Sequence, residues 1–212
     1  MATPREEAFA SLAEGIIKKL NERNIEGYYF DNSKACIDKI LSMIPDGSVV
    51  SWGGSASVIE SGMMDALHNN KFELIDRSTA KTPEEQRITF AKTVMSDYYF
   101  MSTNALTMDG ELMNIDGSGN RTACLIHGPE HIMMMVGRNK IVEDITYAKS
   151  RICNIASPAN AKRLKRKTPC NYNGRCNDCF SPDCMCNQIV ITRRSGRPGR
   201  IKVFLINEEL GY

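Results

Sequence analysis

Histidine is scarce in this sequence, with three residues in 212, and tryptophan occurs once. His68 stands at a helix end while His127 and His131 flank Gly128-Pro129, so no histidine-built metal centre is read from them. His127 is the one that would titrate in a site, with a plain structural role as the simpler reading. An excess of one charge is also missing: 27 Lys and Arg against 25 Asp and Glu leave a net charge of +2, no general case for nucleic acid or an anionic membrane as partner. No apolar stretch is long enough to cross a bilayer, and Met1 through Glu7 lack the basic flank and apolar run of a secretory signal. The expectation is a cytoplasmic protein with one α/β domain spanning residues 1–212, since a single core remains practical up to about 250 residues.

Cysteine, by contrast, is plentiful, with eight residues. In a chain expected to stay in a reducing compartment these are thiols or metal ligands before they are disulfides. Five of them, Cys170, Cys176, Cys179, Cys184 and Cys186, crowd into one run rich in turn residues. The C-x-x-C pair Cys176 and Cys179 sets two thiolates on one small turn. One or two further sulfurs complete a tetrahedral zinc site or the corners of a four-iron iron–sulfur cluster. Free thiols or a redox disulfide are the competing readings, and spacing does not separate zinc from iron–sulfur. Ligation would stabilise a loop with little core of its own, a folding role that needs no catalysis.

Periodicity supplies the frame. Phe9, Leu12, Ile16 and Leu20 recur at helical spacing with charged residues between them, which predicts an opening amphipathic helix. Short apolar runs at 28–30, 49–52, 72–75 and 98–101 are strand candidates. Helices alternate with them: one capped by Asp31 or Asn32 and running through Met43, one from Ser55 through Leu67, one opening with Thr82-Pro83-Glu84-Glu85. This alternation predicts a three-layer α/β fold, a mostly parallel sheet with helices on both faces, whose ligand site lies beyond the carboxyl ends of the strands. Residues 103–140 read as loop-rich, with two short apolar runs in which Met133-Met134-Met135 is core packing. A helix from Glu143 to about Ile155 follows, ended or kinked by Pro158, and a terminal β-hairpin is expected at 188–206 across Gly196-Arg197-Pro198-Gly199.

Two segments carry candidate anion chemistry. Gly53-Gly54-Ser55 joins a strand to a helix, where backbone N–H groups can approach a phosphate or carboxylate. An ordinary tight turn is the plain alternative. Asn104, Asn114, Asn120, Arg121, Asn139 and Lys140 bring amides and cations toward the same sheet edge, Arg121 and Lys140 being the cations to test first. Turn chemistry alone also explains much of this stretch.

The run Ser102-Thr103-Asn104-Ala105 through Asp109-Gly110, then Gly119-Asn120-Arg121, Gly128-Pro129, Asn139-Lys140-Ile141 and the ending Glu209-Leu210-Gly211-Tyr212 resembles the LUD (lactate-utilisation) domain family over nearly the whole chain. The terminal loop is similar to the subgroup with a cysteine loop ahead of its last strand pair. That resemblance implies Cys170, Cys176, Cys179 and Cys186 as the metal ligands, with Cys184 an extra cysteine at a position that is usually basic. It implies a fold similar to ribose-5-phosphate isomerase, glucosamine-phosphate deaminase and CoA transferases, whose relatives bind phosphorylated or CoA-linked substrates at strand ends. It also implies a part in lactate or related organic-acid utilisation, beside iron–sulfur subunits of a lactate-oxidising system.

Two functions follow. The first is an enzyme or enzyme subunit that takes a small anionic metabolite, a carboxylate or phosphate, at the residues just named. The second is a non-catalytic accessory protein whose cysteine loop docks an electron-transfer partner. For nucleic acid the only motive is the basic residues Lys162, Arg163, Lys165, Arg166, Lys167, Arg193, Arg194, Arg197 and Arg200, and such runs are ordinarily solvated faces. No membrane partner is expected, and an oligomer is left open.

Overall fold

Strands that are apolar on both faces must be covered on both, and that decides the architecture. The computed structural model describes residues 3–212. In chain order the helices and strands are α1 (Pro4–Glu22), β1 (Glu26–Phe30), α2 (Ser33–Leu41), β2 (Val49–Trp52), α3 (Ala56–Glu60), α4 (Met63–His68), β3 (Glu73–Ile75), α5 (Pro83–Val94), β4 (Tyr98–Met101), β5 (Ala105–Thr107), β6 (Leu112–Asp116), α6 (Asn120–Ile126), β7 (His131–Gly137), β8 (Ile141–Val142), α7 (Ile145–Arg151), α8 (Ser157–Arg163), α9 (Pro169–Asn173), β9 (Gln188–Thr192) and β10 (Ile201–Ile206). Six strands form a sheet in the order β1-β10-β7-β4-β2-β3, every neighbouring pair parallel.

Along β7, Ile132, Met134 and Val136 enter one apolar cluster and Met133 and Met135 the other, the period of a pleated strand. β10 divides the same way, Val203 and Leu205 to one side, Phe204 and Ile206 to the other. The first cluster is closed by Ala13, Ile16 and Leu20 of α1 and by Leu125 of α6. The second is closed by Ile40 of α2, Val58 of α3 and Met63 and Leu67 of α4. The fold is thus an α/β sandwich of helices around a parallel sheet, as the alternation predicts. Among the described residues no helix is long and apolar enough to cross a membrane.

Local chemistry explains the helix starts. In α1 the Thr3 hydroxyl accepts from Glu6 N–H and the Glu6 carboxylate accepts from Thr3 N–H, with Pro4 in the first turn. Thr82, Pro83 and Glu85 repeat that arrangement in α5.

Several expectations differ from the structure. Ser55 starts a helix, but it stops at Glu60, because Gly62 takes a left-handed conformation (φ 84°) and α4 begins anew after it. The loop-rich stretch holds β5, β6 and β7, and its first apolar run belongs to helix α6. Pro158 does not end the helix expected at 143–155: α7 passes into a π-turn over Ile152–Ala156, and the helical path resumes as α8 with Pro158 in its first turn. A wider π-turn removes the i−4 partner that a proline lacking N–H would leave unsatisfied.

The terminal hairpin is overturned. β9 pairs antiparallel with β6 in a second sheet of order β8-β5-β6-β9, whereas β10 inserts between β1 and β7 as an interior strand of the parallel sheet. The reason lies in the two faces: Ile201, Val203, Phe204, Leu205 and Ile206 are all buried, which only a central strand permits, while Ile189 and Ile191 of β9 stay exposed. The second sheet packs Ala105 and Met113 against Ala148 of α7 and Ile152 and Ala156 of the π-turn.

At the carboxyl end of β7, an added Cβ on Gly137 would lie 2.6 Å from Asn139 Oδ1, 2.7 Å from Leu210 N and 2.8 Å from Glu208 O. Gly137→Ala is therefore expected to push the segment 208–210 off the sheet and lower stability by about 1–3 kcal/mol. A fall in the urea midpoint at unchanged slope checks it, and an unchanged midpoint refutes it.

Candidate functional site

The carboxyl ends of β2, β4 and β7 open into one cleft of about 600 Å³, whose wall includes Gly54, Ser55, Ser102, Asn104, Arg121 and Lys140. β2 delivers the glycines, β4 delivers Ser102 and the turn after β7 delivers Lys140. The end of the cysteine loop, Asp183 through Asn187, forms the facing wall. Asn120 also lines the cleft, half-buried at the start of α6, with its Oδ1 accepting from Ser118. Gly53, Asn114 and Asn139 do not line it. Gly53 N–H donates to Phe100 O at 2.9 Å, and an added Cβ there would stand 2.8 Å from the Tyr99 hydroxyl. Asn139 pins the C-terminal segment, donating to Gly211 O at 3.0 Å and accepting from Leu210 N at 3.1 Å.

Lys140 has the least ordinary surroundings. Its ammonium donates to Ser57 Oγ at 2.7 Å and Ser102 Oγ at 3.1 Å, and only 4% of the residue is exposed. Burial pushes its pKa down to about 7, and the guanidinium groups of Arg151 and Arg121 add to the shift, with Glu60 opposing it. No carboxylate pairs with Lys140 among the described residues.

Arg121 is placed differently. Its guanidinium donates to Asn114 Oδ1, to Ser102 O at 3.2 Å, to Asn104 Oδ1 at 3.0 Å and to Ile115 O at 3.0 Å. Asp116 stands 3.6 Å from Nε. The fork is thus engaged by protein acceptors and knits β6 to the end of β4. Arg151 behaves likewise, donating to Asn139 O at 2.8 Å and Asn104 O at 2.7 Å. Lys140, Arg121 and Arg151 together outnumber the single partner carboxylate, Asp116, so the inner cleft is electropositive.

Two cleft groups, Arg77 and Tyr212, and the lysine's partner Ser57 were not among the site residues expected from the sequence. Arg77 sits after β3 in a segment with no motif; its Nη2 would be 2.5 Å from a Cβ on Gly54, so that glycine makes room for a guanidinium at the mouth. Arg77 makes no ion pair among the described residues. Ser57, the second residue of α3, accepts from the lysine at 2.7 Å without itself lining the cleft. Tyr212 lines the cleft with its hydroxyl buried and without a hydrogen-bond partner among the described residues.

The cysteine loop is anchored at its ends. Arg166 pairs with Asp183 at 3.2 Å, and Lys167 N–H donates to the same carboxylate at 2.7 Å, which holds it below the usual carboxylate range. Asn187 N–H donates to Asp116 O at 3.0 Å. Of the sulfurs, Cys170 contacts Thr168 Oγ1 at 3.2 Å and Cys186 contacts Ser157 Oγ at 3.5 Å. Cys179 Sγ donates to Ser181 Oγ at 3.9 Å, and Asp178 N–H donates to Cys176 Sγ at 3.4 Å. Burial raises the Cys186 thiol to about 11, with Cys184, Cys153 and Cys176 all within electrostatic reach. As placed, no three Cys, His, Asp or Glu side chains among the described residues form a set that could hold a metal ion. The five thiols of the run are half-buried, a sulfur-rich donor set of the kind that suits zinc or an iron–sulfur cluster once drawn together.

Among solved structures, a DUF162 family protein from Deinococcus radiodurans is similar over 94% of this chain and 98% of its own, with a TM-score of 0.53 at 9% identity. The fold is shared at that level. eIF2B delta from Chaetomium thermophilum and the tetrameric eIF2B-beta2-delta2 complex of the same organism give TM-scores of 0.37 and 0.42 at 16% and 14% identity. They align with 69% and 95% of this chain and with 59% and 62% of theirs, and scores this low establish no shared fold. No curated protein matches the chain. The LUD domain family model matches residues 13–206, from the middle of α1 to the last residue of β10, and a match of that extent makes this chain a member of the LUD domain family.

Proposed function

We propose that this LUD domain binds a small anionic metabolite, a carboxylate or phosphate, in the cleft beyond β2, β4 and β7, and that the cysteine loop forming the opposite wall takes up zinc or a four-iron cluster. Family membership links the chain to lactate utilisation at the level of the family. The observation that carries the anion reading is the buried ammonium of Lys140 with no carboxylate partner, in a cleft already rich in guanidinium. A bound anion would supply the missing counter-charge and accept from the lysine's remaining proton. Arg77 at the mouth and the free Tyr212 hydroxyl offer further donors. A carboxylate substrate of this size is consistent with lactate or a related organic acid.

The metal reading is supported by donor chemistry and by adjacency: Cys184 and Cys186 stand on the cleft wall, so a cluster there would lie beside the bound anion. That placement suits a subunit working beside iron–sulfur partners in a lactate-oxidising system. Zinc would instead fix the loop as a wall of the site, the accessory reading.

Calorimetric titration with L-lactate and with inorganic phosphate tests the anion site. Arg77→Ala is expected to weaken the binding anion on the order of tenfold, one charge-assisted hydrogen bond, while leaving the melting temperature of the free protein unchanged. Failure of both anions to bind wild-type protein rejects the site. Elemental analysis and an absorption spectrum on protein purified without oxygen test the loop: brown protein with iron and sulfide means a cluster, colourless protein with zinc a structural ion, and neither metal refutes the reading.

A further inference from the structure

We propose that Lys140 is a nucleophile: its Nζ adds to the carbonyl carbon of a 2-oxo acid held in the cleft and forms an imine, releasing water. This rests on the reading that the cleft takes a small carboxylate, and it names the substrate class.

The two serines that hold the lysine set the geometry. Ser57 Oγ donates its one proton to Leu210 O at 3.0 Å, and Ser102 Oγ donates its own to Thr103 O at 3.3 Å. Each hydroxyl therefore offers Lys140 only lone pairs, and Nζ approaches them at 2.7 Å and 3.1 Å. A neutral amine has two N–H bonds and one lone pair. With both N–H bonds given to serine oxygens, the lone pair takes the one tetrahedral direction left, and no serine proton blocks it. Lys140 and Ser102 line the cleft whereas Ser57 lies behind it, so that direction is the one facing a bound molecule.

Lys140 is also the only buried lysine among the described residues. Burial first, then the guanidinium groups of Arg151 and Arg121, push its pKa down to about 7 against the pull of Glu60. Near neutrality about half of its nitrogens are free amine, whereas an exposed lysine at about 10.4 keeps about one in 2,500. Desolvation beside other cations is a general way to activate a lysine for attack on a carbonyl.

The donors around it select an acid. Arg77, beside Gly54 in the same cleft, makes no ion pair among the described residues, and the Tyr212 hydroxyl is buried without a partner. A carboxylate attached to the carbonyl carbon accepts from such donors. Pyruvate is lactate with its hydroxyl carbon oxidised, so a cleft that takes one has room for the other. In the step itself the Nζ lone pair forms the C–N bond as the carbonyl π pair moves to oxygen, and one N–H proton passes to that oxygen. The remaining N–H proton and the new hydroxyl then leave as water, giving C=N with no net oxidation or reduction.

The test is trapping on the full chain with pyruvate and sodium cyanoborohydride near neutral pH, read by peptide mass spectrometry. The reduced adduct is expected on Lys140 on the order of a hundredfold faster than on Lys71, whose side chain is 85% exposed. Lys140→Arg keeps the charge and cannot form the imine, so its total labelling should fall to the exposed-lysine background; labelling that persists overturns the proposal. Calorimetry with pyruvate and L-lactate separates the two readings. If either acid binds and Lys140 labels no faster than Lys71, the lysine is not a nucleophile and the anion site stands. If neither binds and no adduct forms at Lys140, the anion reading fails and the nucleophile with it.

Discussion

Replacing Arg121 by alanine is expected to destabilise the protein by about 3–5 kcal/mol, a large share of the 5–15 kcal/mol that holds a typical domain folded. The side chain is an internal staple: two Asn side-chain oxygens and two backbone carbonyls accept from it, and Asp116 lies alongside. Removing it leaves those acceptors and a carboxylate in a poorly solvated place with no donor, and the penalty of unpaired buried groups exceeds the worth of the bonds themselves. Asp116 keeps Thr122 N–H at 3.1 Å, which limits the loss. Arg121→Lys should recover little, because a point charge cannot serve acceptors arranged around a planar fork. Urea unfolding decides the matter. A loss under about 1 kcal/mol in Arg121→Ala, accompanied by loss of anion binding, would show that the guanidinium serves the ligand rather than the scaffold.

That prediction marks where sequence reading reached its limit. Arg121 is a cation in a Gly-Asn-rich stretch whether it grips a ligand or the protein. What distinguishes the two is Asn104, 17 residues away, and Asn114, 7 away, brought together only when β6 folds back on β5. Local signals fared better. The Thr-Pro-Glu-Glu start of α5 was legible because capping chemistry is complete within four residues. The parallel sheet was legible because each interior strand is apolar on both faces, and β10, buried at every position but Lys202, belongs to that class. Placing it in a hairpin with β9 gave sequence proximity more weight than that pattern. Arg77 was illegible for a third reason: it is a single residue in a segment of ordinary composition, given room by the absence of a Cβ on Gly54.

Lys140→Met tests the charge at the centre of the cleft, and its two effects have opposite signs. In the wild type, burial holds the ammonium pKa near 7 in the folded chain, against about 10.4 when unfolded. Between those values the unfolded chain binds more protons, so stability rises with pH across that window. The penalty for burying the charge is fully present below pH 7 and vanishes above about 10.4. Methionine, of similar length and without charge, should therefore raise stability by a few kcal/mol at pH 6 and by little near pH 10. Binding moves the other way. L-lactate is ionised throughout this range, so its affinity for wild-type protein follows Lys140: highest below pH 7, where the ammonium is present, and falling by up to about tenfold per pH unit above it. Arg121 and Arg151 keep their charge over the same range and add no slope, leaving Lys140 as the group that titrates. Lys140→Met should lose that affinity at every pH. Lactate affinity that stays flat from pH 6 to 9, or that survives the substitution, would mean the buried ammonium is held by Ser57 and Ser102 for the fold alone.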